Sequence, residues 1–582
     1  MELWQPTGTG SYLGVKPSKR FPIYTRGNAG EVFPEVQYPL SFTMTWELST
    51  KAFAESVTST GLMAPRELEH EPAGLMGVFG GYTYLNLSTT RVVTLRVPGS
   101  KIADVDRQFM GASDAPVYVR HKGDRSLRAA VAGIRYGLRT LRMNDLPQQR
   151  IDAQRVEDWK KALSDPTTIT DAELLRMMRA AQPMLGELFC NHLIVSSQVG
   201  APLALLTKMS EKKFNDLPLL PSLLSGAGNV ASAAPSDRLW DLGRMVKASA
   251  VLTSHFDRGI DGLAERLRTE TDSDGVSFSS AFSSFLAEHG CRGPNEWETA
   301  CPTWGTKPDL ALVLVDRMRA ADPDHAPAAR HAMLVVEREK ALTQADARLS
   351  KFARKRLRQF VDSAAMFAQG REQAKTTVVR AIHEIRLFSI ELARRCAERS
   401  GGQNDDLWFV TADELDAYVA DPRPFANVIA ERRAMRNYLA TLEPPFIVDG
   451  SVPPIETWAK RIDLVSTRAV IGQKMTGIAG CGGVARGRAR IVLDPSDPRD
   501  IGPGDVLVAP LTDPSWTPLF VPVDAVVVDV GAMMSHAVIV SRELGIPSVV
   551  SITGATRSIP EGALIEVDGD NGTVTILELP PE

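Results

Sequence analysis

The run DAVVVDVGAMMSHAVIVSRELGIPSVV, residues 524–550, restricts the fold more than any other stretch of this chain. Its β-branched residues between Asp524 and Asp529 form a run of buried-strand length. A turn of small residues follows. Ser535 then stands where an N-cap belongs, and residues 536–544 can form a short helix. Gly545 supplies the left-handed turn that ends it, and Pro547 keeps it from resuming. Strand, turn, helix and strand in such quick succession require a compact α/β unit.

The surrounding residues extend that unit. RARIVLD, DVLVAP, SVVSI, LIEVDG and TVTILEL are further short strands between glycine-rich turns, so residues 471–582 read as one β/α/β domain. Before it, LEPPFIVDGSVPPIETW (residues 442–458) carries four prolines and reads as a semi-rigid connector, with the linker placed at 451–470. Residues 1–450 form the other region. Its first part, to about residue 125, is mixed α and β, with strand-like TYLNLS and RVVTLRVPG. From about 126 to 440 apolar residues recur every three or four positions. Residues 331–400 hold no proline and one glycine, Gly370, and predict long packed helices. At 582 residues the chain exceeds one core, and the expected class is multidomain α/β.

Bulk properties narrow the function. A net charge of -4 with 23% charged residues gives no reason to expect a nucleic-acid partner. The basic cluster KFARKRLR (residues 351–358) lies among carboxylates and reads as a solvated helix face. Five widely spaced cysteines fit a reducing cytoplasmic setting. The start of the chain lacks a signal-peptide pattern, and Asp524 and Asp529 break the most apolar run, so no membrane span is expected.

Of nine histidines, His536 occupies the one setting suited to chemistry. At the first turn of a helix an imidazole meets free backbone N–H groups and the positive end of the macrodipole. The field disfavours protonation and preserves a nucleophilic lone pair. The same N–H groups can bind the oxygens of an attached phosphoryl group. His192, in LFCNHLIVSS, reads instead as an interior histidine.

GAMMSHAVIVSRELGIPSVV, with GGVARGRARIV before it, PGDVLVAPLTDPSWTPLF between and EGALIEVDGDNGTVTIL after, resembles the swivelling phosphohistidine domain of the phosphoenolpyruvate-utilising and dikinase family. Where pyruvate phosphate dikinases carry a regulatory threonine, this chain has Met534. FPIYTRGNAGEVFPEVQYPLSF, FLAEHGCRGPNEWETACPTWGTKPD, GREQAKTTVVRAIHEIRLFSIELARRC and DLWFVTADELDAY resemble the acceptor-binding region of rifampin phosphotransferase and of the phosphohistidine subunit of phenylphosphate synthase. Many relatives have histidine where Cys291 stands.

That resemblance implies a relay in which His536 is the catalytic phosphoryl carrier and Ser535 supports it. It implies that Arg26 and Arg292 hold phosphoryl oxygens, that Glu31 or Glu296 takes the hydroxyl proton, and that Asn28 orients substrate. Trp304, with Trp297, would wall an aromatic acceptor, and Arg542 would lend structural support. The sequence contains no GxxxxGK[ST] loop, so a separate ATP-grasp subunit is the expected partner, binding ATP and Mg2+. No prosthetic group and no protein-bound metal is expected. The implied reaction phosphorylates a small hydroxyl compound, a phenol by preference, and releases AMP and phosphate. A rifamycin-type antibiotic phosphotransferase component, a phosphocarrier to another protein and a non-catalytic binding protein are the alternatives.

Overall fold

In the computed structural model, residues 12–580 are described apart from 70, 72, 111–114, 214–218, 225–233, 462–468, 496, 498–500 and 532–534. Met534, and all of the GAMM turn before Ser535 except Gly531, lie outside the described residues. The chain divides into two units. Unit 1 comprises Met1–Gln198, Trp297–Ala300 and Gln373–Val465; unit 2 comprises Val199–Glu296, Cys301–Glu372 and Ser466–Glu582.

Unit 1 is built on a four-stranded antiparallel sheet of β1 (Ile23–Thr25), β2 (Met76–Phe79), β3 (Tyr82–Asn86) and β4 (Ile447–Asp449), in the order β2-β3-β1-β4. TYLNLS supplies β3 as expected. RVVTLRVPG does not form a strand: Leu87–Leu95 is a helix, because Asn86 Oδ1 accepts the Thr89 N–H at 2.9 Å and fixes its start. A side-chain cap outweighs the β preference of Val92, Val93 and Thr94 here. The sheet packs with Tyr12, Trp46, Leu439 and Trp458 in one apolar cluster. A second cluster joins the helices Pro39–Ser59, Asp171–Gln198 and the later part of Lys351–Ser400 through Leu40, Met178, Leu185 and Phe388.

The proline-rich stretch is not a free connector. Its Val448 pairs with Tyr24 in the sheet, and Leu442, Ile455 and Trp458 lie in the unit 1 core. The apolar side chains between its prolines are what hold it there. Among the described residues one stretch, Asp171–Ser210, is long and apolar enough to cross a membrane by length and composition, against the expectation of none. Within unit 1 its Leu174, Met178, Ala181 and Leu188 are buried core residues.

Unit 2 carries an eight-stranded mixed sheet: β5 (Lys474–Thr476), β6 (Ile478–Cys481), β7 (Val484–Ile491), β8 (Asp505–Ala509), β9 (Ala525–Val528), β10 (Ser548–Val550), β11 (Leu564–Asp568) and β12 (Thr573–Glu578). Its order is β5-β12-β11-β7-β8-β9-β10-β6, with β7, β8, β9 and β10 parallel and the outer pairs antiparallel. β8 and β9 are buried at every residue, which is why DVLVA and AVVV read as continuous apolar runs without alternation.

The last boundary between the units, Val465 to Ser466, falls within the 451–470 linker, but Val199–Glu296 and Cys301–Glu372 of the preceding region belong to unit 2. Leu239, Phe285, Leu314 and Met318 of the helices share one continuous core with Leu507, Phe520, Val538 and Val550 of the C-terminal sheet. Arg330 Nη1 donates to Val521 O at 3.1 Å across the same packing. The helices Ala234–Ala248 and Asp309–Ala320 therefore belong with the phosphohistidine-like module, because apolar faces on both sides need each other's cover.

Those two helices touch at Gly243, where an added Cβ would sit 2.7 Å from Met318 Cβ and 2.8 Å from the Arg319 nitrogen. Gly243→Ala would gain about 1 kcal/mol of helix propensity. Overpacking against backbone costs about 1–3 kcal/mol or more. The variant is expected to be less stable than wild type in guanidinium melts; an unchanged or higher midpoint would contradict the packing.

Candidate phosphohistidine site

The helix His536–Leu544 follows β9 and begins where the sequence places it. Gly545 takes φ 63°, ψ 34°, and Ile546 N donates back to Ser541 O at 2.9 Å, closing the helix. Ser535 occupies the N-cap position with extended backbone, but its side chain makes no capping bond. Its hydroxyl is buried and has no hydrogen-bond partner among the described residues. An unpaired hydroxyl beside the free N–H groups of a first turn is a costly arrangement unless a ligand completes it.

His536 itself is 8% exposed. Thr512 Oγ1 lies 3.0 Å from Nδ1 and Thr517 Oγ1 lies 3.0 Å from Nε2. The ring of Phe520 meets the imidazole edge-on, with centroids 6.1 Å apart. A neutral imidazole has one N–H and one lone pair, so one threonine accepts and the other donates. Together the two hydroxyls fix the ring plane. Both threonines belong to the LTDPSWTP segment, which turns because Asp513 Oδ1 accepts the Ser515 N–H at 2.8 Å and the Ser515 hydroxyl at 2.5 Å.

The other carboxylate oxygen of Asp513 accepts the Asn295 N–H at 3.3 Å, with Asn295 in the left-handed region at φ 52°. Asn295 lies between two residues chosen from the sequence, Arg292 and Glu296. Their side chains form a buried ion pair at 3.0 Å, 2% and 1% exposed. Burial works against the Arg292 charge, but Glu296 beside it raises the guanidinium above its usual range. Unit 2 thus contains both His536 with Ser535 and the Arg292–Glu296 pair, linked by the hydrogen bond from Asn295 to Asp513. Trp304 is in the core: its ring stacks on Phe285 at 5.5 Å and its backbone N–H donates to Arg292 O at 2.7 Å. Arg542 donates from Nε to Gly480 O at 2.9 Å, a structural contact as expected.

Arg26, Asn28 and Glu31 lie in unit 1. The Arg26 guanidinium is buried and donates to the carbonyls of Phe33, Pro34 and Thr83 at 2.9–3.0 Å, beneath the rings of Tyr82 and Tyr84. These bonds commit it to holding the turn rather than to reaching phosphoryl oxygens. Asn28 is exposed at φ 66°, and Glu31 is half-buried in the short helix Ala29–Val32.

Unit 1 also has a largely apolar cavity walled by Phe33, Met44, Leu185, Phe189 and Trp297. Trp297 packs edge-on against Phe33 and Phe189, apart from Trp304, with which the sequence paired it. His192 stacks on Phe189 at 6.3 Å, in keeping with an interior role. In the same wall Glu298 accepts from the Ser41 hydroxyl, from the Ala300 N–H at 3.2 Å and from the Tyr38 N–H at 3.3 Å. Burial raises its carboxyl above the usual range, more than those donors and Arg436 lower it. Glu298, Thr512 and Thr517 are the site residues that the sequence reading missed. All three lie within segments whose resemblance it used, WETACP and LTDPSWTP, where hydroxyl and carboxyl groups were available as the signal.

Residues 191–372 match the family model described as the rifampicin phosphotransferase fourth domain, and residues 501–572 match the PEP-utilising enzyme mobile domain. An uncharacterized protein of Mycobacterium tuberculosis is 29% identical over 99% of this chain and 64% of its own length. The prodigiosin synthesizing transferase of Serratia marcescens is 25% identical over 96% of this chain and 63% of its own. The rifampicin phosphotransferase of Bacillus subtilis is 26% identical over 50% of this chain and 34% of its own. The chain thus spans less than two thirds of the length of these relatives.

Asp529, at the end of β9, accepts from Thr556 N at 2.8 Å and Thr556 Oγ1 at 2.5 Å, and burial pushes its carboxyl up to about 6. A folded-state value above the free one stabilises the protein fully below the free value of 3.8, and that stability is lost as pH rises through about 6. Wild type is expected to lose on the order of 2–3 kcal/mol of this contribution between pH 4 and 7. Asp529→Asn should flatten that part of the profile in denaturant melts, and an identical slope in the two proteins would count against it.

Proposed function

We propose that this chain, whose C-terminal part is a PEP-utilising enzyme mobile domain, carries a phosphoryl group on His536 and transfers it to a small aromatic hydroxyl compound. One observation carries the reading above the others. An imidazole opens a helix whose N-cap hydroxyl, Ser535 Oγ, is buried without a partner among the described residues, beside first-turn N–H groups that no helical carbonyl can satisfy. A phosphoryl group on the ring would supply oxygens to both.

By its resemblance to the phosphohistidine subunit of phenylphosphate synthase, the donor is ATP with Mg2+ held on a separate ATP-grasp subunit. An imidazole lone pair attacks the β-phosphorus, and the bond to the α-phosphate oxygen breaks, releasing AMP. Water then takes the γ-phosphoryl as phosphate. In the second half, the acceptor hydroxyl oxygen bonds to phosphorus as the P–N bond breaks and its electron pair returns to the ring. The hydroxyl proton needs a base. Glu298, in the wall of the aromatic cavity and raised by burial, is the candidate we favour over Glu31 and Glu296, since Glu296 is occupied by Arg292.

Phe33, Phe189 and Trp297 in that cavity support a phenolic acceptor. His536 is covered by Thr512 and Thr517, so charging requires the 510–517 segment or the whole module to move away. Five cysteines without disulfides are consistent with a cytoplasmic setting. The alignment to the synthesizing transferase, which runs over 96% of the chain, favours a second reading in which the transferred group serves the synthesis of a small molecule.

Phosphoramidate, a chemical phosphoryl donor to histidine, tests the relay without the partner. Wild-type protein charged with it should convert phenol to phenyl phosphate, seen by 31P NMR, and His536→Ala should not. Glu298→Gln should charge normally but transfer about 10²-fold or more slowly. Transfer by His536→Ala at the wild-type rate would overturn the reading.

A further inference from the structure

The helix Leu127–Arg142 has three faces, and two of them face solvent. At about 100° per residue, Ala129, Gly133 and Thr140 share one side. Ala129 and Thr140 are buried, and Gly133 sits so close to Leu62 that an added Cβ would be 2.9 Å from it. Leu127, Val131, Ile134 and Leu138 form a second stripe within about 60° of arc. They are 84%, 41%, 50% and 49% exposed. Arg128, Arg135, Arg139 and Arg142 form a third stripe beside it, also within about 60°. The helix contains no aspartate or glutamate, and among the described residues none of these four arginines forms an ion pair with a carboxylate.

Among the described residues, this aliphatic seam edged by arginines has neither apolar cover nor a carboxylate counter-charge. We propose that this face docks an amphipathic helix of a protein partner, with an aliphatic stripe for Leu127, Val131, Ile134 and Leu138 and a glutamate or aspartate edge for the arginines. The asymmetry selects this occupant. A helix lying in an anionic membrane surface presents Lys and Arg across its polar face, opposite the apolar one. Here they occupy one flank, and the small-residue side turned to the body of unit 1 adjoins the other. A second copy packed antiparallel about a two-fold axis would set arginine against arginine. A helix with one acidic edge satisfies both stripes at once, as facing charged positions do in paired helices.

The full chain is titrated with a designed amphipathic peptide that has leucines at every third and fourth position and glutamates along one edge, followed by fluorescence anisotropy. Binding is expected, weakened by salt, and absent for the same peptide with lysines in place of glutamates. Arg135→Glu/Arg139→Glu should weaken it at least about tenfold, as should Ile134→Asn/Leu138→Asn. All four side chains are exposed, and unchanged melting temperatures will confirm folding. Hydrogen exchange in residues 127–142 should slow on binding. Equal binding of both peptides, no effect of the arginine reversals, or binding to phosphatidylglycerol vesicles without binding to the peptide would overturn the proposal.

Discussion

An imidazole gripped at both nitrogens is the constraint on which the C-terminal half depends. Thr512 and Thr517 can reach His536 only if the LTDPSWTP segment folds back over the helix start, and Asp513 enforces that fold by accepting three donors. Each such bond contributes about 1 kcal/mol net, but leaving a buried ring nitrogen unpaired costs about 1–3. The arrangement is therefore a closed one. It sets the ring plane and occupies both ring nitrogens, so a phosphoryl group on either one must displace a threonine.

The second theme is division of labour along one short segment. Residues 292–296 belong to unit 2, where Arg292 and Glu296 pair and Asn295 anchors Asp513. The next four residues, Trp297–Ala300, belong to unit 1 and supply Trp297 and Glu298 to the aromatic cavity. On the proposed relay, carrier and acceptor chemistry thus belong to different units, and the boundary between Glu296 and Trp297 is one of the places where the chain passes from one to the other. Arg386 Nη2 donating to Glu298 O at 3.0 Å holds the unit 1 side of that junction.

How legible this was in the sequence depended on how local each cause is. The strand DAVVVDV, the helix from His536 and the stop at Gly545 are set by neighbours within a few residues, and they stand where the sequence places them. Leu87–Leu95 reversed its strand-like pattern because one side chain, Asn86, caps it. The connector became core because Trp458 and Val448 found apolar partners far away in sequence. Arg26 reads as free for phosphate in the sequence because its three carbonyl partners lie in the turn at Phe33 and Pro34 and on strand β3. Glu298 was passed over for Glu296, two residues earlier, since only the fold shows which of them faces a cavity and which faces an arginine.

The most direct measurement is NMR of protein labelled with 15N-histidine, before and after charging with a phosphoryl donor. A single imidazole, identified by its loss in His536→Ala, is expected to gain coupling to phosphorus at one ring nitrogen while Thr512 and Thr517 lose their contacts to it. Phosphorus coupled to a different histidine, or to none, would contradict the central claim.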